Sequence, residues 1–395
     1  MSDYPLSDYI LQAKRILGQL GLNDSLSLYL HIPFCRSKCH YCGFYSRRCP
    51  SRDTLERYIQ VLCAQIEAVN RLWERPFSTV YIGGGNPGLI DGDALYRLSR
   101  LCCTNGRPVE FSMECNPEDT DSHIEPSLEF INRLSVGVQS LNPAALEFLG
   151  RNATLKDTIR GMDRATDLRE RYGTALNFDL ITCVPGFENA SDDDIRSVCA
   201  DYTPEHLSLY SLTLEEGTVL GSRLKAGLLQ PLSDDEQADI LLRQWRLLGE
   251  MGYAHYEVSN FAREGSMCEH NLRYWQVVPW IGLGAGASST LDEPYRRIEC
   301  APDFGDFCGK PLFWTYTAEK LARKQQLEEW VMMGLRTAAG LDSEECLRRF
   351  GFRLPDDLTF RGYRMLNGSF RPDEEGFLLA DAAAIYTVGR LEDLL

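Results

Sequence analysis

The sequence has no long apolar run. Its 395 residues contain no uninterrupted apolar stretch approaching the roughly 18 residues of a membrane-spanning helix. The first residues, Met-Ser-Asp-Tyr-Pro-Leu, contain no basic region followed by an apolar segment, which is the pattern of a secretion signal. The sequence therefore predicts a cytoplasmic protein without a transmembrane segment.

The chain also lacks an excess of basic charge. Lys and Arg total 41 against 57 Asp and Glu, which gives a formal net charge of −16. A nucleic-acid backbone or an anionic membrane surface would be repelled on average, so nucleic acid is not expected as a partner. A local basic pocket remains compatible with this charge. The apolar content of 44% predicts a globular protein with a large core.

Cysteine is plentiful, with 14 residues, but without a secretion signal these are expected to be reduced thiols. Most lie within apolar patterns and are predicted to be small core residues. Cys35, Cys39 and Cys42 differ, because they form a CxxxCxxC loop. A [4Fe–4S] cube normally takes four thiolates. A three-thiolate loop therefore predicts a cluster whose fourth iron binds a ligand from outside the protein.

Two other interpretations of this loop are open. Residues at i, i+4 and i+7 also share one face of a helix. However, Pro33 and Gly43 bracket the triplet and polar residues interleave it, which favours a loop after a strand. Zinc sites use similar short spacings, but no second CxxC pair follows here. The iron–sulfur interpretation is favoured over both.

Short β-branched or aromatic runs alternate with segments of helical period, which is typical of parallel βα units. The candidate strands are residues 27–32, 79–82, 109–114, 133–138, 176–181 and 206–210. Candidate helices include residues 53–70, 93–103, 144–149, 191–199 and 234–251. This pattern predicts an α/β fold with a partial TIM-like (β/α)6 barrel. Ligands of such folds bind at the carboxyl ends of the strands.

The alternation stops near residue 290, where an irregular segment with several Pro and Gly residues begins. Helical pattern resumes at 318–335 and 343–350. The sequence predicts an N-terminal segment at 1–24, the barrel with an extension at 25–290, a linker at 291–314 and a small α+β C-terminal domain at 315–395.

Polar groups recur where the candidate strands end. The glycine turn at 83–85 follows the second strand and allows its N–H groups to face a carboxylate or an amine. Glu114 ends the third strand and Gln139 follows the fourth. Asp179 lies within the fifth, where an unpaired carboxylate is costly. Each could be a capping or solvated residue, but their recurrence at successive strand ends predicts a shared ligand.

The cysteine loop and the glycine turn resemble the signatures of radical S-adenosylmethionine (SAM) proteins. More specifically, the chain is similar to the family that contains the oxygen-independent coproporphyrinogen III oxidase HemN and the heme chaperone HemW, and the 256–275 segment is especially similar to the chaperone branch. The runs that carry the resemblance are 29–42, 83–87, 132–142, 179–186, 256–275 and 282–287.

The resemblance implies a [4Fe–4S] cluster on Cys35, Cys39 and Cys42 with SAM on its open iron. An electron from a donor such as flavodoxin or ferredoxin would pass through the cluster and split SAM into methionine and a 5′-deoxyadenosyl radical. Arg151 and Asp179 would hold the ribose and carboxylate ends of SAM. The SAM-contacting residues implied by position are Tyr29, Tyr41, Gly84, Gly85, Asn86, Glu114, Gln139, Arg151, Asp179 and Thr213.

Two features distinguish the branches of this family. The oxidases carry a further cysteine where this chain has Phe44, and they are longer before the position of Tyr29. Both differences favour a chaperone that binds heme and passes it to a hemoprotein acceptor. The alternatives are an oxidase that converts two propionates of coproporphyrinogen III to vinyl groups, and a structural scaffold for the cluster. Whether the protein is an enzyme therefore stays open.

Three positions depart from the family pattern. Asn86 stands where the glycine motif usually has Thr. Gly43 stands where the chaperones usually have Asp, and Ser288 where they usually have His.

His270 lies in an HNxxYW motif that matches the chaperone branch, which implies that it is an axial heme ligand. A neutral imidazole is a normal ligand for heme iron, and Tyr274 and Trp275 would pack on the porphyrin. The alternative is a loop histidine with two core aromatics that clamp the open edge of the barrel. Cys268 is a lesser candidate.

Overall fold

The structure is a computed structural model that describes residues 6–17, 25–292, 295–299, 304, 307 and 318–395. The helices are α1 Leu6–Leu17, α2 Arg52–Trp73, α3 Gly92–Cys102, α4 Pro143–Phe148, α5 Leu155–Tyr172, α6 Ala190–Ser197, α7 Val219–Lys225, α8 Asp234–Glu250, α9 Glu269–Trp275, α10 Arg323–Gly334, α11 Ser343–Phe350 and α12 Ala380–Leu391.

The strands of the main sheet are β1 Ser27–Ile32, β4 Thr79–Gly84, β5 Glu110–Cys115, β6 Arg133–Gln139, β7 Ala175–Thr182, β8 His206–Ser211, β9 Ala254–Glu257, β10 Asn260–Ala262, β11 Trp280–Leu283, β12 Ser288–Asp292, β13 Tyr295–Glu299 and β14 Ala318–Lys320. The remaining strands are β2 Phe34–Cys35, β3 Arg47–Arg48, β15 Leu341–Asp342, β16 Thr359–Phe360, β17 Tyr363–Leu366 and β18 Ser369–Pro372.

The main sheet has twelve strands in the order β14-β13-β12-β11-β1-β4-β5-β6-β7-β8-β10-β9. Strands β1, β4, β5, β6, β7 and β8 are parallel neighbours in chain order. This arrangement confirms the predicted partial (β/α)6 barrel. Parallel strands are buried on both faces and so consist of nearly continuous apolar runs; in β1 only Tyr29 is less than fully buried.

The sheet extends beyond the predicted strands at both edges. Strand β11 pairs in parallel with β1, and β12, β13 and β14 continue that edge in antiparallel pairing. At the other edge β10 and β9 pair antiparallel with β8. Residues 295–299, within the segment predicted to be a linker, form β13; most of residues 300–314 lie outside the described part.

The C-terminal residues form a second unit with a core of its own. An antiparallel sheet in the order β15-β18-β17-β16 packs with helices around Leu327, Trp330 and Phe370, which matches the predicted α+β domain. Backbone hydrogen bonds join this unit to the barrel, from Val258 N to Arg336 O at 2.9 Å and from Ala338 N to Tyr256 O at 2.9 Å. The domain boundaries themselves stay a prediction. Among the described residues, no helix is long and apolar enough to cross a membrane.

Candidate cofactor site

A cavity of about 380 Å³ opens at the carboxyl ends of the parallel strands. Because those ends meet at one edge of the barrel, side chains far apart in sequence come together there. The cavity is lined by most of the predicted site residues: Cys35, Cys39, Cys42, Tyr41, Gly84, Gly85, Glu114, Gln139, Arg151, Asp179 and Thr213. Of the predicted residues, Tyr29, Asn86 and His270 do not line it.

The cysteines lie on an irregular loop, so the helical interpretation of their spacing is wrong. The loop leaves β2 and returns through β3, and these short strands pair in parallel. Its middle is held by two backbone hydrogen bonds of 2.9 Å, from His40 N to Leu149 O and from Leu220 N to His40 O. The segments around α4 and α7 therefore fix the path of the cysteine loop.

The chemistry of these thiols fits an iron–sulfur cluster. All three are free and half-buried. Burial raises the pKa of Cys35 to about 11 and also raises the pKa of Cys42, so these two thiols need a cationic partner to ionise. No three Cys, His, Asp or Glu side chains in the described ranges lie close enough to hold a single metal ion. The zinc alternative therefore gains no support from the described side chains.

The glycine turn is bonded to the start of the cysteine loop. Gly85 N donates to Ile32 O and Asn86 N to Phe34 O, each at 2.8 Å, and Gly84 N donates to Glu114 Oε2 at 3.0 Å. These N–H groups are thus used within the protein, contrary to the prediction that they face a ligand. A Cβ atom at residue 85 would lie 2.6 Å from Phe34 O, so the close approach of the two backbones requires glycine.

Two carboxyl groups face the cavity from β5 and β7, the strands on either side of β6. Glu114 accepts from Tyr81 Oη at 2.8 Å, and Asp179 accepts from Ser135 Oγ at 3.0 Å and Asn177 Nδ2 at 2.8 Å. Both are removed from bulk water but open to the cavity. Burial, followed by repulsion from Asp179, raises the pKa of Glu114 to about 7, and burial raises the pKa of Asp179. A cationic ligand would relieve this repulsion, and SAM carries a sulfonium cation.

Arg151 provides a site for an anionic group. Its Nη2 donates to Asn116 Oδ1 at 3.0 Å and to Gly137 O at 2.8 Å, and its Nη1 lies 3.5 Å from Cys39 Sγ. Its Nε is buried and has no hydrogen-bond partner among the described residues. A buried guanidinium with an unused donor favours a carboxylate partner, as the amino-acid end of SAM would supply.

Gln139 ends β6 in a strained conformation. Its φ of 68° lies in the left-handed region, and the pairing of β6 with β7 shifts register beside it. A residue other than glycine pays roughly 1–2 kcal/mol for this conformation. Such strain is concentrated at ligand sites, which agrees with the position of Gln139 on the cavity wall.

Tyr29 and Asn86 support the site from outside the cavity. The hydroxyl of Tyr29 lies 3.0 Å from His31 Nδ1, and its ring stacks on Tyr81 with centroids 6.2 Å apart. Asn86 is only 1% exposed, and its Oδ1 accepts from Gly88 N at 3.2 Å. The structure therefore gives no support to the prediction that these two side chains contact SAM.

His270 lies at the opposite end of the barrel from the cysteine loop. Its Nδ1 is 2.8 Å from the hydroxyl of Thr79, the first residue of β4, and its Nε2 is 2.8 Å from Tyr274 Oη. Burial lowers its pKa to about 3, so the ring is neutral. Both nitrogens are engaged, and neither is left for a heme iron in this arrangement. The clamp interpretation predicted a loop histidine at the open edge of the barrel, whereas the structure places His270 in helix α9 at the start of β4.

Helix α9, which carries the motif, is fixed by a buried carboxylate. Glu110, the first residue of β5, accepts from Glu269 N and His270 N, each at 3.0 Å, and pairs with Arg133 at 2.9 Å. The negative charge also suits the positive N-terminus of a helix. Cys268 is buried beside Glu110, with its Sγ 3.3 Å from Oε1. The motif thus closes the amino-terminal end of the barrel.

Several lining residues were not identified from the sequence. They include Lys38, Phe44, Cys115, Asn116, Tyr210 and Glu215. The rule that ligands meet strand ends could have indicated Asn116, which follows β5, and Tyr210, near the end of β8. Glu215 lies in a loop without a recognisable motif, so no sequence signal pointed to it.

Comparison with known proteins agrees with this site. Residues 29–198 match the model of the radical SAM superfamily. The chain is 33% identical to the heme chaperone HemW of Lactococcus lactis, over 82% of this chain and 85% of that protein. It is 35% identical to HemW of Escherichia coli, over 69% and 72% of the two chains. The fold is that of the coproporphyrinogen III oxidase HemN of Escherichia coli, with a TM-score of 0.74 at 20% identity, over 99% and 95% of the chains.

The fold and the cysteine loop define a radical SAM protein, a class whose members hold a [4Fe–4S] cluster and SAM. Within that class, the chain belongs to the HemN/HemW family.

Proposed function

We propose that this protein is a heme chaperone of the radical SAM type, which binds heme and delivers it to a hemoprotein acceptor. The observation that carries the proposal is that three cysteines, an acidic pair and a buried arginine line the same cavity. The HemW relatives support the heme part of the proposal. We further propose a cytoplasmic location and an electron donor such as flavodoxin or ferredoxin.

In this proposal Cys35, Cys39 and Cys42 ligate the cluster, which supplies one electron to SAM when both are bound. The unused donor of Arg151 binds the carboxylate of SAM, and the acidic pair Glu114 and Asp179 faces its cationic centre. The protein itself contributes ligation and orientation.

Heme ligation by His270 would require its Nε2 to leave Tyr274. The two hydrogen bonds that His270 makes to Thr79 and Tyr274 need no rearrangement, and we therefore favour a structural role for this residue. Phe44, at the position of the additional oxidase cysteine, is 73% exposed on the cavity rim and brings no further thiol there. This observation supports the chaperone over the oxidase.

The first experiment compares Cys39→Ala with Cys49→Ala after anaerobic reconstitution. Cys49 is also a free thiol, directly after β3, but it does not line the cavity. We expect Cys39→Ala to lose the brown absorbance and the iron, and Cys49→Ala to keep both. Full iron content in Cys39→Ala would refute the cluster assignment.

The second experiment distinguishes the chaperone from the oxidase. The reduced, reconstituted protein is incubated anaerobically with SAM and coproporphyrinogen III, and a parallel sample is titrated with heme. Stoichiometric heme binding without a vinyl-bearing product supports the chaperone. Formation of that product would identify an oxidase.

A further inference from the structure

Gly43 follows the third cysteine, and a carboxylate from another loop occupies the space that a side chain at this residue would fill. A Cβ atom built on Gly43 would lie 1.7 Å from Oε2 of Glu215 and 2.8 Å from its Cδ. Gly43 does not have the positive φ that favours glycine. The backbone therefore does not require glycine there, and the space beside it is filled by the carboxylate.

The loop that carries Glu215 is held firmly against the cysteine loop. The carbonyl of Glu215 accepts from Thr218 Oγ1 at 2.7 Å, and Thr218 caps α7 by accepting from Gly221 N at 3.0 Å. In the next turn, Leu220 N donates to His40 O at 2.9 Å. The backbone that carries Glu215 is thus positioned by the same contacts that set the path of the cysteine loop.

Glu215 lines the cavity together with Cys42 and Lys38. Because Gly43 follows Cys42 directly, the carboxylate that fills the space at residue 43 lies beside the third thiol of the loop. The ammonium of Lys38 lies 3.5 Å from Phe44 O, and the guanidinium of Arg151 is bonded to Asn116 and Gly137.

We infer that Glu215 sets the reduction potential of the cluster by placing a negative charge beside its third ligand, in the space that a side chain at residue 43 would occupy. This inference rests on the proposed cluster site. A nearby anion disfavours the addition of an electron, so it lowers the potential. Glu215 acts on the cluster through its charge and is not one of its ligands.

The test is a redox titration of reconstituted protein without SAM or heme, followed by the absorbance and EPR signal of the cluster. Glu215→Gln removes the charge at nearly constant shape, and Glu216→Gln is the matched control, because Glu216 is exposed and does not line the cavity. We expect full iron content in both variants and a more positive potential only in Glu215→Gln.

A double variant that moves the carboxylate from residue 215 to residue 43 tests whether its position matters. Gly43→Asp combined with Glu215→Gly should keep its iron and have a potential close to that of the unmodified protein, because it returns a carboxylate to the same space. Equal potentials in Glu215→Gln and Glu216→Gln, at full iron content, would overturn the inference. If the double variant does not take up a cluster, the comparison of these two single variants decides the test. Failure of the unmodified protein to load a cluster would instead refute the proposed function.

Discussion

Asn86 Nδ2 lies 2.7 Å from Oδ2 of Asp119, and the other oxygen of Asp119 pairs with Arg36 in the cysteine loop. Both Asn86 and Asp119 are buried, at 1% and 3% exposure. The glycine turn and the cysteine loop are therefore joined through one carboxylate. A threonine at residue 86 has no amide donor, so the departure from the family pattern at this residue provides a link that threonine would lack.

We expect Asn86→Thr to lower the free energy of unfolding by about 1–3 kcal/mol, because it leaves a buried oxygen of Asp119 without this donor. The cluster should also be lost faster during dialysis. Urea unfolding and timed iron analysis measure the two effects. Asn189→Ala is the control, since Asn189 is exposed and makes no capping hydrogen bond; equal results for the two variants would contradict the link.

SAM affinity should rise with pH through the pKa of Glu114, which is about 7. If only the ionised carboxylate binds the cation, affinity increases about tenfold between pH 6 and pH 8. Calorimetric titration of the reconstituted protein checks this, and Glu114→Gln should abolish the dependence. An unchanged pH profile in that variant would assign the effect to another group.

The same shift has the opposite effect on the stability of the ligand-free protein. The pKa of Glu114 is raised from 4.5 to about 7, so the native state binds the proton more tightly than the unfolded chain does. This group therefore stabilises the fold below about pH 4.5, and that contribution is lost as the pH rises to 7. Unfolding of Glu114→Gln across this window should show a weaker decline than the unmodified protein.

His270→Ala should act mainly on stability. It removes two buried hydrogen bonds and leaves Thr79 and Tyr274 without that partner, at a cost of about 2–4 kcal/mol. Tyr274→Phe breaks only the bond to Nε2 and keeps the imidazole. We expect the heme affinity of Tyr274→Phe, measured by titration at temperatures where the variant is folded, to be unchanged. If His270 bound heme iron, the same variant would free its Nε2 and tighten heme binding.

The buried pair Arg133–Glu110 should contribute strongly to stability. Arg133→Met leaves a buried carboxylate without its cation and should cost about 3–5 kcal/mol. The solvent-screened pair Arg171–Glu125 is the comparison, where Arg171→Met should have a much smaller effect. Urea unfolding measures both, and similar losses would show that the burial of the first pair has no special effect.

The sequence was sufficient for the barrel and for much of the cavity wall. The strand at Ser27–Ile32 matches its prediction, because buried parallel strands are distinct apolar runs. Glu114, Gln139 and Asp179 were found because strand ends converge in this fold. Strand β11 was missed, because it has only four residues and one of them is a glycine.

Contacts between distant parts of the chain could not be predicted in the same way. The partner of His270 lies 191 residues away in sequence, and that of Asn86 lies 33 residues away. Whether a polar side chain points to a ligand or to another residue depends on such pairs, and spacing along the chain does not encode them.

Helix α9 is anchored at the amino-terminal ends of β4 and β5, whereas the cavity lies at the carboxyl ends of the parallel strands. The two ends of the same strands therefore have separate tasks, one in holding the fold together and the other in presenting polar groups. A substitution in the HNxxYW motif is then expected to change stability first, and a substitution on the cavity wall to change binding first.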